Sequence, residues 1–251
     1  MVTFENVSFS YKNEKEAIQT ISNLNFKVKK GSFTALIGPS GCGKSTILSL
    51  ICGFFKPDKG SIFLDSELQS PGKIGYMLQN DHLLEWRTVF KNILLGLEIQ
   101  KKKTKENVQY AHILLDRYGL SEYENVKPSA LSGGMRQRAA LIRTLVLNPS
   151  LLLLDEPFSA LDYQTRLHVS SDIYRIIKAE SKTAILVTHD IAEAVALADN
   201  IIVLSKSPCT VKEIIPINFE QNGITREAVR NTPLFQYYFD LIWEVLQNES
   251  K

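Results

Sequence analysis

Three short segments carry residue types whose spacing suits phosphate chemistry. The first, Gly38-Pro39-Ser40-Gly41-Cys42-Gly43-Lys44-Ser45-Thr46, follows the apolar run Phe33 to Ile37 and precedes the apolar stretch Ile47 to Ile51. Glycine accepts positive φ, so Gly38, Gly41 and Gly43 let such a loop turn successive backbone N–H groups onto an anion. The pattern is that of a P-loop, or Walker A segment. In it Lys44 reaches the β and γ phosphates, the Ser45 hydroxyl ligates Mg²⁺, and a helix starting near Gly43 turns its positive end to the triphosphate. The plainer alternative is a glycine-rich turn with a solvated lysine; placement between a buried strand and a helix favours the phosphate site.

The second segment is Asp155 and Glu156, directly after the leucines at 151–154. A carboxylate leaving a buried strand is costly unless paired, and Mg²⁺ supplies a pairing. Adjacent residues of an extended chain project oppositely. Asp155 is therefore assigned to the metal shell and Glu156 to the attacking water as general base. A loop-capping pair is the alternative. The third segment, Leu131-Ser132-Gly133-Gly134-Met135, opens a helical pattern over 136–147. Ser132, Gly133 and Gly134 would present a second helix amino terminus with exposed donors, unless this is an ordinary serine cap. One nucleotide leaves one of the two cradles unemployed, unless two copies associate so that each completes the other's site.

Alternation at Val2, Phe4, Val7 and Phe9, and again at Leu24, Phe26 and Val28, predicts half-buried strands around the phosphate loop. Further strands are expected at 61–64, 74–78, 151–154, 184–187 and 201–204. The continuous apolar runs among them suit a parallel sheet buried on both faces. Helical spacing covers Val89, Ile93, Leu94 and Leu97 behind the cap Thr88, then Val108, Ala111, Leu115 and Tyr118. Residues 88–148 therefore read as an all-helical insertion. Helices are also expected over 162–179, over 190–197 and behind Thr232 and Pro233, the last packed on the protein body. Strands alternating with helices give an α/β core.

With 251 residues, 44% of them hydrophobic, the chain can build a real core, and its net charge of +2 implies no nucleic-acid partner. The run Lys101, Lys102, Lys103 and Lys105 reads as a solvated helix face. Cys42, Cys52 and Cys209 look too scattered for a metal site and fit a reducing, cytoplasmic setting. No signal peptide and no run of about 20 apolar residues is found, so any membrane role is borrowed from a partner.

Taken together, the motifs resemble the ATPase subunit of ATP-binding cassette transporters over essentially the whole chain. Leu131 to Met135 resembles that family's signature motif, Leu151 to Phe158 its Walker B strand, and Ser159-Ala160-Leu161-Asp162 its D-loop. Gln79 stands where the family has its Q-loop glutamine, His189 where it has the switch histidine, and Tyr11 where an aromatic stacks on adenine. Alone, Tyr11 would be an edge-strand aromatic, Gln79 a surface amide and His189 a capping imidazole. Their order together with the other motifs carries the resemblance. His82, His112 and His168 match nothing and read as surface or packing histidines. Met135 replaces a common glutamine. Leu83 to Thr88 and Asn92 to Leu97 are similar to the importer branch handling nitrate, sulfonates, taurine and thiamine precursors, with Glu85 in place of a frequent proline.

The resemblance implies a P-loop NTPase core with a mainly parallel sheet, an N-terminal antiparallel β subdomain and an inserted helical subdomain. Residues 1–87 and 149–251 form the core and 88–148 the insertion. It implies ATP and Mg²⁺ as cofactors, with Ser45, Gln79 and Asp155 toward the metal, Asp162 toward the nucleotide, and Lys44, Glu156 and His189 in hydrolysis. Two copies pair head to tail, dock peripherally on a membrane permease from the cytoplasm, and depend indirectly on an extracytoplasmic solute-binding protein. Trp86 is either an anchor for a permease helix received near Gln79 to Thr88 or a core tryptophan. The rivals are a soluble cassette ATPase acting on nucleic acid or the ribosome, a non-hydrolysing ATP-dependent dimerisation module, and a small-molecule P-loop kinase. The first usually carries two cassettes or a long coiled coil, neither found here. The kinase gives Ser132 to Gly134 no task.

Overall fold

The computed structural model of the chain describes residues 2–12, 17–70, 72–159, 161–179, 181–219 and 229–248. Two compact units are present, Met1–Ser66 with Tyr174–Lys251, and Glu67–Ile173.

The first unit holds two sheets. In one, β1 (Val2–Lys12) lies between β2 (Ala17–Val28) and β4 (Lys59–Leu64), antiparallel to both. Its alternating side chains bury Val2, Phe4, Val7 and Phe9, as a sheet with one solvated face requires. In the other, β3 (Phe33–Ile37) lies between β7 (Thr183–Thr188) and β8 (Asn200–Leu204), parallel to both, and β9 (Val211–Pro216) runs antiparallel along β8. All of β3 and β7 is buried, which explains their unbroken apolar runs. The strand β9 went unforeseen: its residues are mostly half-exposed at an edge, so Val211-Lys212-Glu213 gives no apolar run. A bridge between Ile21 and Cys209 ties β2 to the turn before β9.

Helix α1 (Lys44–Ile51) leaves β3, α7 (Ile191–Leu197) leaves β7, and α8 (Pro233–Gln247) closes the described chain. Asp190 caps α7 by accepting from the Glu193 amide at 3.1 Å, and Thr232 caps α8 at 3.2 Å. Phe235, Tyr238 and Ile242 of α8 are buried, and the Val245 carbonyl accepts from Lys212 of β9 at 2.8 Å, so this helix packs on the body as expected.

In the second unit β5 (Ile74–Met77) pairs in parallel with β6 (Leu151–Asp155), Met77 opposite Leu154. The helices α2 (Val89–Ile93), α3 (Leu95–Ile99), α4 (Lys105–Arg117) and α5 (Gly133–Leu145) fall here, and α6 (Tyr163–Ala179) begins here. Thr88, Thr104 and Ser132 cap α2, α4 and α5 through their side-chain oxygens. Lys101 to Lys103 occupy the turn joining α3 to α4 and are exposed, a solvated loop rather than the expected helix face. No described helix is long and apolar enough to cross a membrane.

Candidate active site

The phosphate loop emerges from the carboxyl end of β3. Gly41 and Gly43 have φ of 74° and 116°, in the left-handed region that other residues avoid. Gly38 is glycine for another reason than the expected positive φ. A Cβ there would lie 3.0 Å from Leu204 Cβ and 3.2 Å from Cys42 Sγ, so a side chain fits only if β8 and Cys42 give by a few tenths of an ångström. Ser40 and Ser45 are exposed, Pro39 is half-buried and Thr46 is buried. Lys44 is folded back, its Nζ donating to the carbonyls of Gly38 and Pro39 at 2.8 Å each. The ammonium thus braces its own loop, and a phosphate bringing full negative charge offers it stronger acceptors.

Tyr11 at the end of β1 joins this loop. Its hydroxyl hydrogen-bonds Thr46 Oγ1 at 3.1 Å, and its ring meets Phe9 and Phe55 edge-on, with centroids 5.0 and 5.6 Å away. Phe55 carries no sequence signal, since the pair Phe54-Phe55 falls between elements. His189 follows β7, where Ile37 pairs with Thr188, so Gly38 and His189 leave the same end of neighbouring strands. His189 is exposed there.

The cysteines are less scattered than their spacing suggests. Cys42 and Cys209 are both buried, and a hydrogen bond from the Cys209 thiol draws the Cys42 pKa down to about 7 against the opposing effect of burial, with the Lys44 charge helping. Cys52, half-buried, is pushed up to about 12 by desolvation alone.

In the second unit Asp155 ends β6 buried, its Oδ2 accepting from the Tyr76 hydroxyl at 3.4 Å. Glu156 has φ of 47°, so it is not extended as the opposite-sides expectation assumed. The chain turns sharply there, and that turn rather than strand alternation separates the two carboxylates. Gln79, just beyond β5, donates from Nε2 to Glu156 Oε2 at 3.3 Å. The parallel pairing of β5 and β6 makes this meeting possible by ending both strands at one edge.

Ser132 Oγ accepts from the Met135 amide at 3.3 Å, capping α5 while remaining exposed. Nothing lies within 4 Å of where a Cβ on Gly133 would project. The start of α5, with Gly134 half-buried behind it, is therefore open to an anion. Further along α5, Arg136 forks onto Asp81 at 2.9 and 3.0 Å and reaches Glu85 at 2.7 Å. Burial opposes ionisation of Asp81, but the Arg136 hydrogen bonds, the Leu83 amide and the Arg136 and Arg143 charges more than offset it, holding its carboxyl below the usual range. Glu85, standing where proline is frequent, thus anchors its loop to α5. Trp86 beside it is 74% exposed, which excludes the core reading. Asp162 Oδ1 accepts from the Thr165 amide at 3.0 Å, capping α6, and the Thr165 hydroxyl together with that amide holds the carboxyl low; Ala160 lies outside the described residues.

Each unit carries oxygen donors of the type a hard cation takes. In the first unit Ser45 carries an exposed hydroxyl; in the second Asp155 carries a carboxylate and Gln79 an amide oxygen, since its nitrogen is turned to Glu156. Mg²⁺ takes oxygen ligands of this kind together with substrate phosphates.

Residues 21–159 match the family model described as ABC transporter. The chain is 44% identical over 249 residues to an uncharacterized ABC transporter ATP-binding protein, YtlC, of Bacillus subtilis, covering 98% of this chain and 96% of that one. It is 42% identical over 208 residues to the formylaminopyrimidine import ATP-binding protein ThiZ of Halalkalibacterium halodurans, covering 83% and 81%. A solved dimeric post-hydrolysis state of the ATP-binding cassette MJ0796, bound to ADP and Pi, superposes with a TM-score of 0.77 at 32% identity, covering 87% of this chain and 99% of that one.

Proposed function

The chain belongs to the ABC transporter family, and from that premise we propose that it is the ATP-hydrolysing subunit powering import of a small solute through a separate membrane permease. Relatives named as import ATP-binding proteins support this reading. The observation that carries the mechanism is the open, Ser132-capped start of α5, which gives the chain a second helix amino terminus in addition to that of α1. Two copies associate head to tail, the phosphate loop of one and Ser132, Gly133 and Gly134 of the other enclosing one ATP.

Lys44 exchanges its loop carbonyls for phosphate oxygens, and Tyr11, with Phe55 behind it, offers a face to the adenine. Ser45, Asp155 and Gln79 would hold Mg²⁺, which when bound would offset phosphate charge. Glu156 takes the proton of the attacking water, and His189 contacts the γ phosphate. Asp162 serves the nucleotide across the pairing from its place at the start of α6. Triphosphate between two sets of N–H dipoles holds the copies together, and its cleavage releases them. Trp86 and the loop held by Glu85 face the permease, peripheral to the cytoplasmic side of the membrane, and the solute-binding protein acts on the other side.

Steady-state phosphate release tests the chemistry. Glu156→Gln is expected to lose roughly 10² to 10⁴ in turnover, the usual contribution of a general base, while still binding ATP. Near-normal hydrolysis by that variant would remove Glu156 from the role.

A further inference from the structure

Gln137 stands on α5, five residues beyond Ser132, and is 4% exposed. A buried amide demands partners, and this one finds them at the end of β6. Its Nε2 donates to the Glu156 carbonyl and to Ser159 Oγ, both at 3.4 Å. Ser159 closes the arrangement, donating from Oγ to the same Glu156 carbonyl at 3.0 Å and from its amide at 3.3 Å.

Glu156 needs such holding. Its φ of 47° is a conformation that a residue with a side chain adopts only where its surroundings over-determine it. Gln79 reaches the carboxylate at 3.3 Å, but that contact leaves the backbone free to relax. The carbonyl, gripped from α5 and from Ser159, sets where the side chain starts. Helix α5 is in turn tied down through Arg136 to Asp81 and Glu85.

We propose that Gln137 is a positioning residue for hydrolysis, acting through Glu156 by fixing its left-handed backbone so that the carboxylate meets the attacking water. Its role is to hold the backbone of Glu156 and not to meet the reacting atoms, so it is not itself catalytic. This rests on the reading of Glu156 as the general base.

The test is a double-mutant cycle with Gln137→Met, close in shape to glutamine but without donors, and Glu156→Gln. Single-turnover hydrolysis and ATP affinity are measured for each variant. Gln137→Met is expected to lower the hydrolysis rate by about 10- to 10²-fold, the scale of a misplacement near 1 Å, with ATP affinity unchanged. In the Glu156→Gln background the same change should have no further effect, because the group it positions is gone. Ser159→Ala, an exposed and mild change, should give a smaller loss that also vanishes in that background. An equal loss in both backgrounds, a loss confined to ATP affinity, or an unaltered rate overturns the proposal. Near-normal turnover by Glu156→Gln alone overturns the base assignment itself, and that result is read before Gln137 is touched.

Discussion

Lys44 and Cys42 sit two residues apart and answer to different physics. The Lys44 ammonium holds two carbonyls of its own loop, so Lys44→Ala removes both the proposed phosphate ligand and a brace. ATP affinity is expected to fall at least ~10-fold, measured by titration with a fluorescent analogue. Unchanged affinity would count against the cradle. For Cys42 the thiolate is the reactive form, and with a pKa of about 7 it is half populated near neutrality. Alkylation at this site should rise with pH through about 7 and level off above. Cys52, near 12, should stay a poorly reactive thiol over that range. MgATP should slow the Cys42 reaction, and a rate indifferent to nucleotide would contradict the placement of Cys42 in the phosphate loop.

Among elements, the loop ahead of α2 depends on one side chain. Asn92, fully buried, accepts from the Leu84 amide at 2.7 Å and donates to the carbonyls of Leu84, Arg87 and Thr88. Asn92→Ala strands those groups and is expected to cost roughly 2 kcal/mol, seen as a fall in Tm of several degrees. A Tm within error of the parent would show that the loop finds other partners. Most elements were legible in the sequence because burial on both faces gives unbroken apolar runs, as at Leu151 to Leu154, and because caps such as Thr88, Ser132 and Thr232 announce helix starts. The edge strand β9 was not, since its half-exposed residues follow no period. Contacts between distant segments were also hidden. Cys209 against Cys42, Phe55 against Tyr11 and Gln137 against Glu156 depend on how strands and helices are brought together, which residue spacing does not encode. Gln137 alone left a trace, an amide on the same α5 face as the buried Ala140, Leu141 and Thr144.

For the whole molecule, the central claim is that two copies share each ATP. The isolated chain offers an exposed Ser132 and an open approach to Gly133, as that claim requires of the partner's half-site. Sedimentation of Glu156→Gln with saturating MgATP tests it most directly, because a triphosphate that is bound but not cleaved should hold the pair together. A shift from 28.3 kDa to twice that mass is expected, reversed when Ser132→Arg is added to block the second cradle. A particle that stays at 28.3 kDa with ATP bound, or a dimer indifferent to Ser132→Arg, contradicts it.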